Sequence, residues 1–172
     1  MNVTFARYSR LMMALHWATA VLVVAAYLLS EGGPRVRTHP PLLHFACGLA
    51  VLLLLVPRLI ARALGAVPPL PQYDSRWLTI AARASHTLLY LLLLAVPLMG
   101  WYVASRLGVP AWLFGLTLPP LTAAVAGPAG ILAKLHQVGG NLILILAGVH
   151  ALAALWHHFG LRDHTLRRMT PF

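Results

Sequence analysis

The sequence predicts an all-α integral membrane protein, a four-helix bundle that forms a single domain over residues 1–172. Three observations predict it. The chain is 60% apolar and only 9% charged. An average soluble domain carries roughly 25% charged residues, so this chain has too little polar surface to face water on every side. Its apolar residues are gathered into four long runs, each close to the roughly 20 residues that a helix needs to cross a bilayer. Its cations lie in the segments between those runs, where topology determinants belong.

The four runs predict helices near residues 11–30, 42–60, 84–104 and 135–159. The first could be mistaken for a signal peptide. Three comparable runs follow it and no convincing small-residue cleavage site does, so it reads as a retained helix. Glu31 to Pro41 is short and rich in Pro and Gly, so the first two helices should be antiparallel neighbours. The next connection holds Pro68, Pro69 and Pro71 and an amphipathic piece from Ser75 to Ala82. Pro97 should kink the third helix. Residues 105–133 are apolar, but Pro110, Pro119, Pro120 and Pro128 interrupt them too often for a fifth span. They are expected to lie along the membrane surface as a lid; a re-entrant segment is the alternative.

Thirteen Lys or Arg face three acids, Glu31, Asp74 and Asp163. In a soluble protein a formal charge of +10 would suggest nucleic acid, but cations flanking apolar runs serve topology, so no nucleic-acid partner is expected. Arg7, Arg10, Arg58, Arg62, Arg76, Arg83, Arg162, Arg167 and Arg168 fall on one side, and Arg35, Arg37, Arg106 and Lys134 on the other. The richer side belongs in the cytoplasm. Both termini are therefore expected there, in a multi-pass protein bathed in membrane lipid.

Nine histidines in so charge-poor a chain require a reason, because ionisable groups within spans are expensive and usually mark a site. His136 and His150 lie 14 residues apart on the fourth helix. That is close to four turns, so they share a face about 21 Å apart. Two haems stacked across one bilayer, one near each surface, need that separation. Each iron then needs a second axial ligand at matching depth. His16 lies on the inner side with His150, and His44 on the outer side with His136. Small residues that would admit a ring flank these positions: Ala133, Gly139 and Gly140 near His136, Ala147, Ala153 and Ala154 near His150, Cys47 and Gly48 near His44, and Thr19 and Ala20 near His16. They also serve helix packing. The single cysteine, Cys47, cannot form an intrachain disulfide, and no C-x-x-C-H is present for covalent attachment. The expectation is two non-covalent b haems, each six-coordinate and suited to electron transfer.

A lone membrane histidine more often packs or hydrogen-bonds than ligates; matching by depth at four positions is what distinguishes this set. Zinc also favours histidine, but each pair would offer it two ligands and no cysteine or carboxylate. A proton relay would normally use carboxylates, and no predicted span contains Asp or Glu. His86 is expected at the start of the third helix, either hydrogen-bonded to a haem propionate or a lipid headgroup or simply as a polar helix-start residue. His157 lies seven residues beyond His150 on the same face, where a quinone headgroup could dock, or where it anchors the interface with Trp156. No role is assigned to His158. Arg10 and Arg58 inside, and Arg35, Arg37 and Lys134 outside, are candidates to pair with propionates.

At these residues the sequence resembles the bacterial cytochrome b561 family. The resemblance rests on Tyr8-Ser9-Arg10 leading to Leu15-His16-Trp17, on His44 followed by Cys47-Gly48, and on the run from Trp112 to Pro119. His136 and His150 on one helix and the closing segment Asp163 to Met169 complete it. It covers nearly the whole chain. It implies a four-helix bundle of the bacterial inner membrane with two b haems, ligated by His16 with His150 and by His44 with His136. It also implies a superoxide:ubiquinone oxidoreductase, with electrons passing from periplasmic superoxide through the haems to ubiquinone. Related four-helix cytochromes instead anchor a partner dehydrogenase or hydrogenase and carry its electrons to quinone. A protein partner is thus possible and not required. On the superoxide reading, Arg35, Arg37 and Lys134 form a cationic entrance for the anion.

Overall fold

The computed structural model describes residues 7–30, 34–65 and 76–170. Glu31, Asp74, Ser75 and the prolines at positions 68, 69 and 71 lie outside them. The main elements are α1 (Arg10–Leu28), α2 (Leu42–Leu64), α3 (Arg76–Arg106) and α4 (Ile131–Phe159), with a hairpin of β1 (Ala111–Leu113) and β2 (Leu116–Leu118) between α3 and α4. Each helix is long and apolar enough to cross a membrane. Leu28, Leu53, Leu91, Ile145 and Leu152 are exposed along their flanks, as lipid-facing residues should be in a bundle solvated by hydrocarbon.

α1 packs on α2, α2 on α3, α3 on α4 and α4 on α1, which closes a ring. The core at mid-bundle is Val51, Leu55 and Leu93, with Leu22, Val23 and Tyr90 packed against it. Close approach of α3 and α4 depends on Gly139, where an added Cβ would stand 2.6 Å from Val96 Cγ2. Ser9 caps α1 by accepting the Met12 amide at 3.2 Å.

Three boundaries differ from the sequence expectation; one is the start of the fourth helix, since α4 begins at Ile131 and so carries Lys134. The amphipathic piece expected from Ser75 to Ala82 is continuous with the third span: α3 begins at Arg76, because no Pro or Gly separates Arg76 from Val96 and nothing breaks the helix. His86 therefore stands ten residues inside α3, not at its start. α2 continues beyond Ile60 to Leu64 through an internal Pro57, which places Arg58 and Arg62 on the helix itself.

The lid is more ordered than a surface loop. β1 and β2 pair antiparallel, with Ala111 opposite Leu118 and Leu113 opposite Leu116. The two turn residues, Phe114 (φ 44°) and Gly115 (φ 98°), both have the positive φ that a two-residue type I′ hairpin requires. Phe114 accepts this at a cost of roughly 1–2 kcal/mol; Gly115 takes it freely. Trp101 Nε1 donates to the Pro119 carbonyl at 3.2 Å, and Ser105 Oγ accepts the Leu121 amide at 3.0 Å. Arg37 donates to the Val125 and Gly127 carbonyls at 3.0 and 2.7 Å. These bonds tie the lid across one end of the bundle.

At the opposite end the segment leading into α1 meets the segment that follows α4. The Tyr8 amide donates to the Arg168 carbonyl at 3.2 Å, and Trp17 Nε1 donates to the Met169 carbonyl at 2.8 Å. The segment after α4 therefore forms a strap beneath the bundle.

Candidate functional site

The four ligand candidates meet in two pairs, one at each end of the bundle. At the lid end the rings of His44 on α2 and His136 on α4 have centroids 5.8 Å apart. At the terminal end His16 on α1 and His150 on α4 are 6.3 Å apart. Two imidazoles that share one metal ion, at about 2 Å from each nitrogen, have ring centres about 6 Å apart. Both pairs are close to that spacing.

The lid-end pair is held by backbone carbonyls. His44 Nδ1 lies 2.7 Å from the Ala26 carbonyl. In that last turn of α1 the Leu29 and Ser30 amides go to Ala25 and Tyr27, so His44 supplies a partner to a helix-end carbonyl. His136 Nδ1 lies 2.9 Å from the Val96 carbonyl on α3. A carbonyl only accepts, so both rings carry their proton on Nδ1 and leave the Nε2 lone pair available to a metal. Gly100 makes room for the second ring: a Cβ there would stand 2.8 Å from His136 Cε1.

A cavity of about 930 Å³ opens beside this pair, and His44, His136, Gly48, Gly140, Arg37 and Lys134 are among its lining residues. Gly48 and Gly140 have no atom within 4 Å of where a Cβ would lie, so they keep space open. Of the small residues noted beside His136, Gly140 thus borders the cavity, whereas Gly139 serves helix packing. Facing imidazoles, a roomy cleft and clear glycines suit a flat macrocycle bound through its metal. Among the described residues no three His, Cys, Asp or Glu side chains are grouped to hold a metal ion, so the ligand set of a structural zinc is not assembled there.

The terminal-end pair has a different setting. Arg58 Nη2 lies 2.9 Å from His16 Nδ1, and Arg58 Nε donates to the Tyr90 hydroxyl at 3.2 Å. The Arg58 and Arg62 guanidinium carbons lie 5.3 and 5.7 Å from the Tyr90 ring centre. The His86 ring is 5.3 Å from that of His150, so His86 belongs to this site and not to the helix start. Gly100, Tyr90 and the Val96 and Ala26 carbonyls were not legible as site residues in the sequence. All lie far along the chain from the imidazoles they serve; the only signal was a glycine one helical turn from Pro97 and Val96.

Residues 7–172 match the prokaryotic cytochrome b561 family. The chain belongs to that family. Its relatives include a protein named probable superoxide oxidase CybB from Yersinia pestis, 34% identical over 169 residues, with 96% of each chain covered. Cytochrome b561 homolog 2 of Escherichia coli K12 is 34% identical over 171 residues, covering 95% of this chain and 90% of the relative. Cytochrome b562 of Cereibacter sphaeroides is 36% identical over 172 residues, with 94% of each covered. Cytochromes of this family are helical bundles in bacterial membranes that bind b-type haem and transfer electrons, and this chain is one of them.

Of the other candidate positions, His157 lies seven residues past His150 on α4, with Nδ1 2.5 Å from Asp163 Oδ2 in the strap. Asp163 Oδ1 accepts the Thr165 amide at 2.8 Å. Burial pushes the Asp163 carboxyl up, but the hydrogen bonds from His157 and Thr165 outweigh it and hold it below the usual carboxylate range. A depressed carboxylate stabilises the folded strap above its unfolded value of 3.8, and that stabilisation is lost as the pH falls through the lower folded value. Asp163→Asn at neutral pH should therefore loosen the strap. Hydrogen exchange should speed up roughly tenfold at the Thr165 and Arg168 amides, and unchanged protection there would show that the strap is held by other contacts. At the lid end, Lys134 Nζ reaches Gln137 Oε1 at 3.4 Å, Arg35 is exposed, and Arg37 is engaged with the lid carbonyls.

Proposed function

We propose that this chain is a di-haem oxidoreductase of the bacterial inner membrane, with both termini in the cytoplasm, that takes electrons from periplasmic superoxide and delivers them to ubiquinone. The observation that carries the reading is the pair of facing imidazoles at each end of one bundle, with α4 contributing to both. His44 and His136 hold one haem on the outer side, and His16 and His150 hold the other on the inner side. When bound, the haems supply one-electron redox chemistry. The protein fixes the imidazole tautomers, spaces the two sites along α4 and excludes water with an apolar sheath. The name of the Yersinia pestis relative supports superoxide as the donor.

Superoxide is a small anion, and giving up one electron turns it into dioxygen. Two such events supply the two electrons that ubiquinone takes up together with two protons. Lys134 and Arg37 on the cavity rim, with Arg35 beside them, attract the anion to the lid end. His157, oriented by Asp163, is the polar contact proposed for the quinone headgroup.

Haem reduction by superoxide in purified protein, followed by stopped flow with and without ubiquinone, tests this directly. Changing Arg35, Arg37 and Lys134 to Gln should lower the second-order rate and flatten its dependence on salt at unchanged haem content. Arg37 also holds the lid, so R35Q/K134Q separates charge from lid anchoring and should show the same trend. Equal rates and equal salt slopes would remove the cationic entrance. Protein that superoxide does not reduce, but that a partner dehydrogenase does, would instead be an anchor and electron conduit.

A further inference from the structure

The two imidazole pairs differ in what their second nitrogens touch. At the lid end, His44 and His136 donate to the Ala26 and Val96 carbonyls at 2.7 and 2.9 Å. Such partners make an imidazole a stronger electron donor to its metal, which favours oxidised iron. At the terminal end, His16 Nδ1 is 2.9 Å from Arg58 Nη2, and a guanidinium can only donate.

Arg58 is half-buried on a spanning helix. Its partners are neutral: the Tyr90 hydroxyl and ring and His16. Among the described residues Asp163 is the one acid, and it is bonded to His157 and Thr165. A cation in a span without an anion is costly, so its presence points to a ligand that brings the anion. Haem b carries carboxylates. Ligation by His16 through Nε2 also requires a proton on Nδ1. Two N–H donors would then face each other, so the guanidinium must turn from His16 to another acceptor while Tyr90 keeps Nε in the site.

We propose that Arg58 anchors a carboxylate of the terminal-end haem and that its charge makes this haem the stronger electron acceptor of the two. The proposal rests on the two-haem reading above. The cation favours the reduced, less positive iron, whereas the carbonyl-bound imidazoles at the lid end favour the oxidised one. The downhill direction for an electron is then from the lid end to the terminal end, set by the partners of Nδ1 and by one arginine.

The test is a spectroscopic redox titration of purified wild type, R58Q and R58K, with haem content measured on each. The terminal-end component is identified as the one missing from His150→Ala. In wild type it should have the higher midpoint potential. R58Q should weaken its hold on the electron roughly tenfold or more, a fall of about 59 mV for a one-electron couple, with the other component unmoved. R58K keeps the charge and should keep the terminal-end potential above the lid-end one. An unchanged potential in a fully loaded R58Q, or an equal fall in R58K, overturns the proposal. If R58Q does not load the haem, R58K decides: a terminal-end potential above the lid-end one supports the proposal and one below it overturns it. Fewer than two haems in wild type would instead defeat the two-site reading on which the proposal depends.

Discussion

His136→Ala and His44→Ala should each remove the same haem, so that a pyridine haemochrome assay reads one b haem per chain where wild type reads two. His150→Ala and His16→Ala should each remove the other. The two pairs are separated by 14 residues along α4, about 21 Å, so loss at one end leaves the other end intact. Within a pair the imidazoles stand 5.8 or 6.3 Å apart, and neither alone offers a six-coordinate iron. Low-temperature α-band spectra should therefore match within a pair and differ between pairs. His86→Ala is the control, since its ring lies 5.3 Å from His150 but it is not assigned as a ligand; both haems should remain. Spectra that grouped His16→Ala with His44→Ala would break the assignment, and loss of a haem in His86→Ala would move a ligand role to α3.

Gly100→Leu should abolish the lid-end haem without touching either of its ligands. Even the Cβ would come within 2.8 Å of His136 Cε1 and 3.1 Å of Nδ1. The ring cannot yield cheaply, because its Nδ1 is bonded to the Val96 carbonyl at 2.9 Å on the same helix as Gly100. Moving the ring would break that bond and swing Nε2 away from His44. Overpacking of this kind costs roughly 1–3 kcal/mol, and the loss of a metal-ligand geometry adds to it. Gly100→Ala should weaken the site in the same direction by a smaller amount. Gly148→Ala adds its methyl to open space on an exposed position of α4 outside the lid-end cavity and should keep the lid-end haem. A fully loaded Gly100→Leu with an unaltered lid-end spectrum would mean that His136 is not held where the contact requires.

The four spans, the ordering of the histidines along them and the rough depth of each were legible in the sequence. Those are one-dimensional properties: a run of apolar residues sets where a helix crosses, and 1.5 Å per residue sets how deep a side chain lies. The pairing of His16 with His150 and His44 with His136 followed from depth, and the folded chain brings both pairs together. The hairpin at 111–118 was not legible as strands. Its residues are nearly all apolar, with no alternation to mark strands, and only the positive φ at Phe114 and Gly115 turns them back on themselves.

What only the tertiary structure decided is which neighbour each imidazole meets. The Ala26 carbonyl comes to His44 across 18 residues, the Val96 carbonyl to His136 across 40, and Arg58 to His16 across 42. No periodicity within a helix encodes contacts between helices, because the rotation of each helix about its axis is fixed by packing against the others. The sequence by itself therefore determined a membrane bundle with histidines at two depths. The rotations of α2 and α3 decided that one pair faces carbonyls and the other an arginine, since only packed side chains bring a partner within hydrogen-bonding distance.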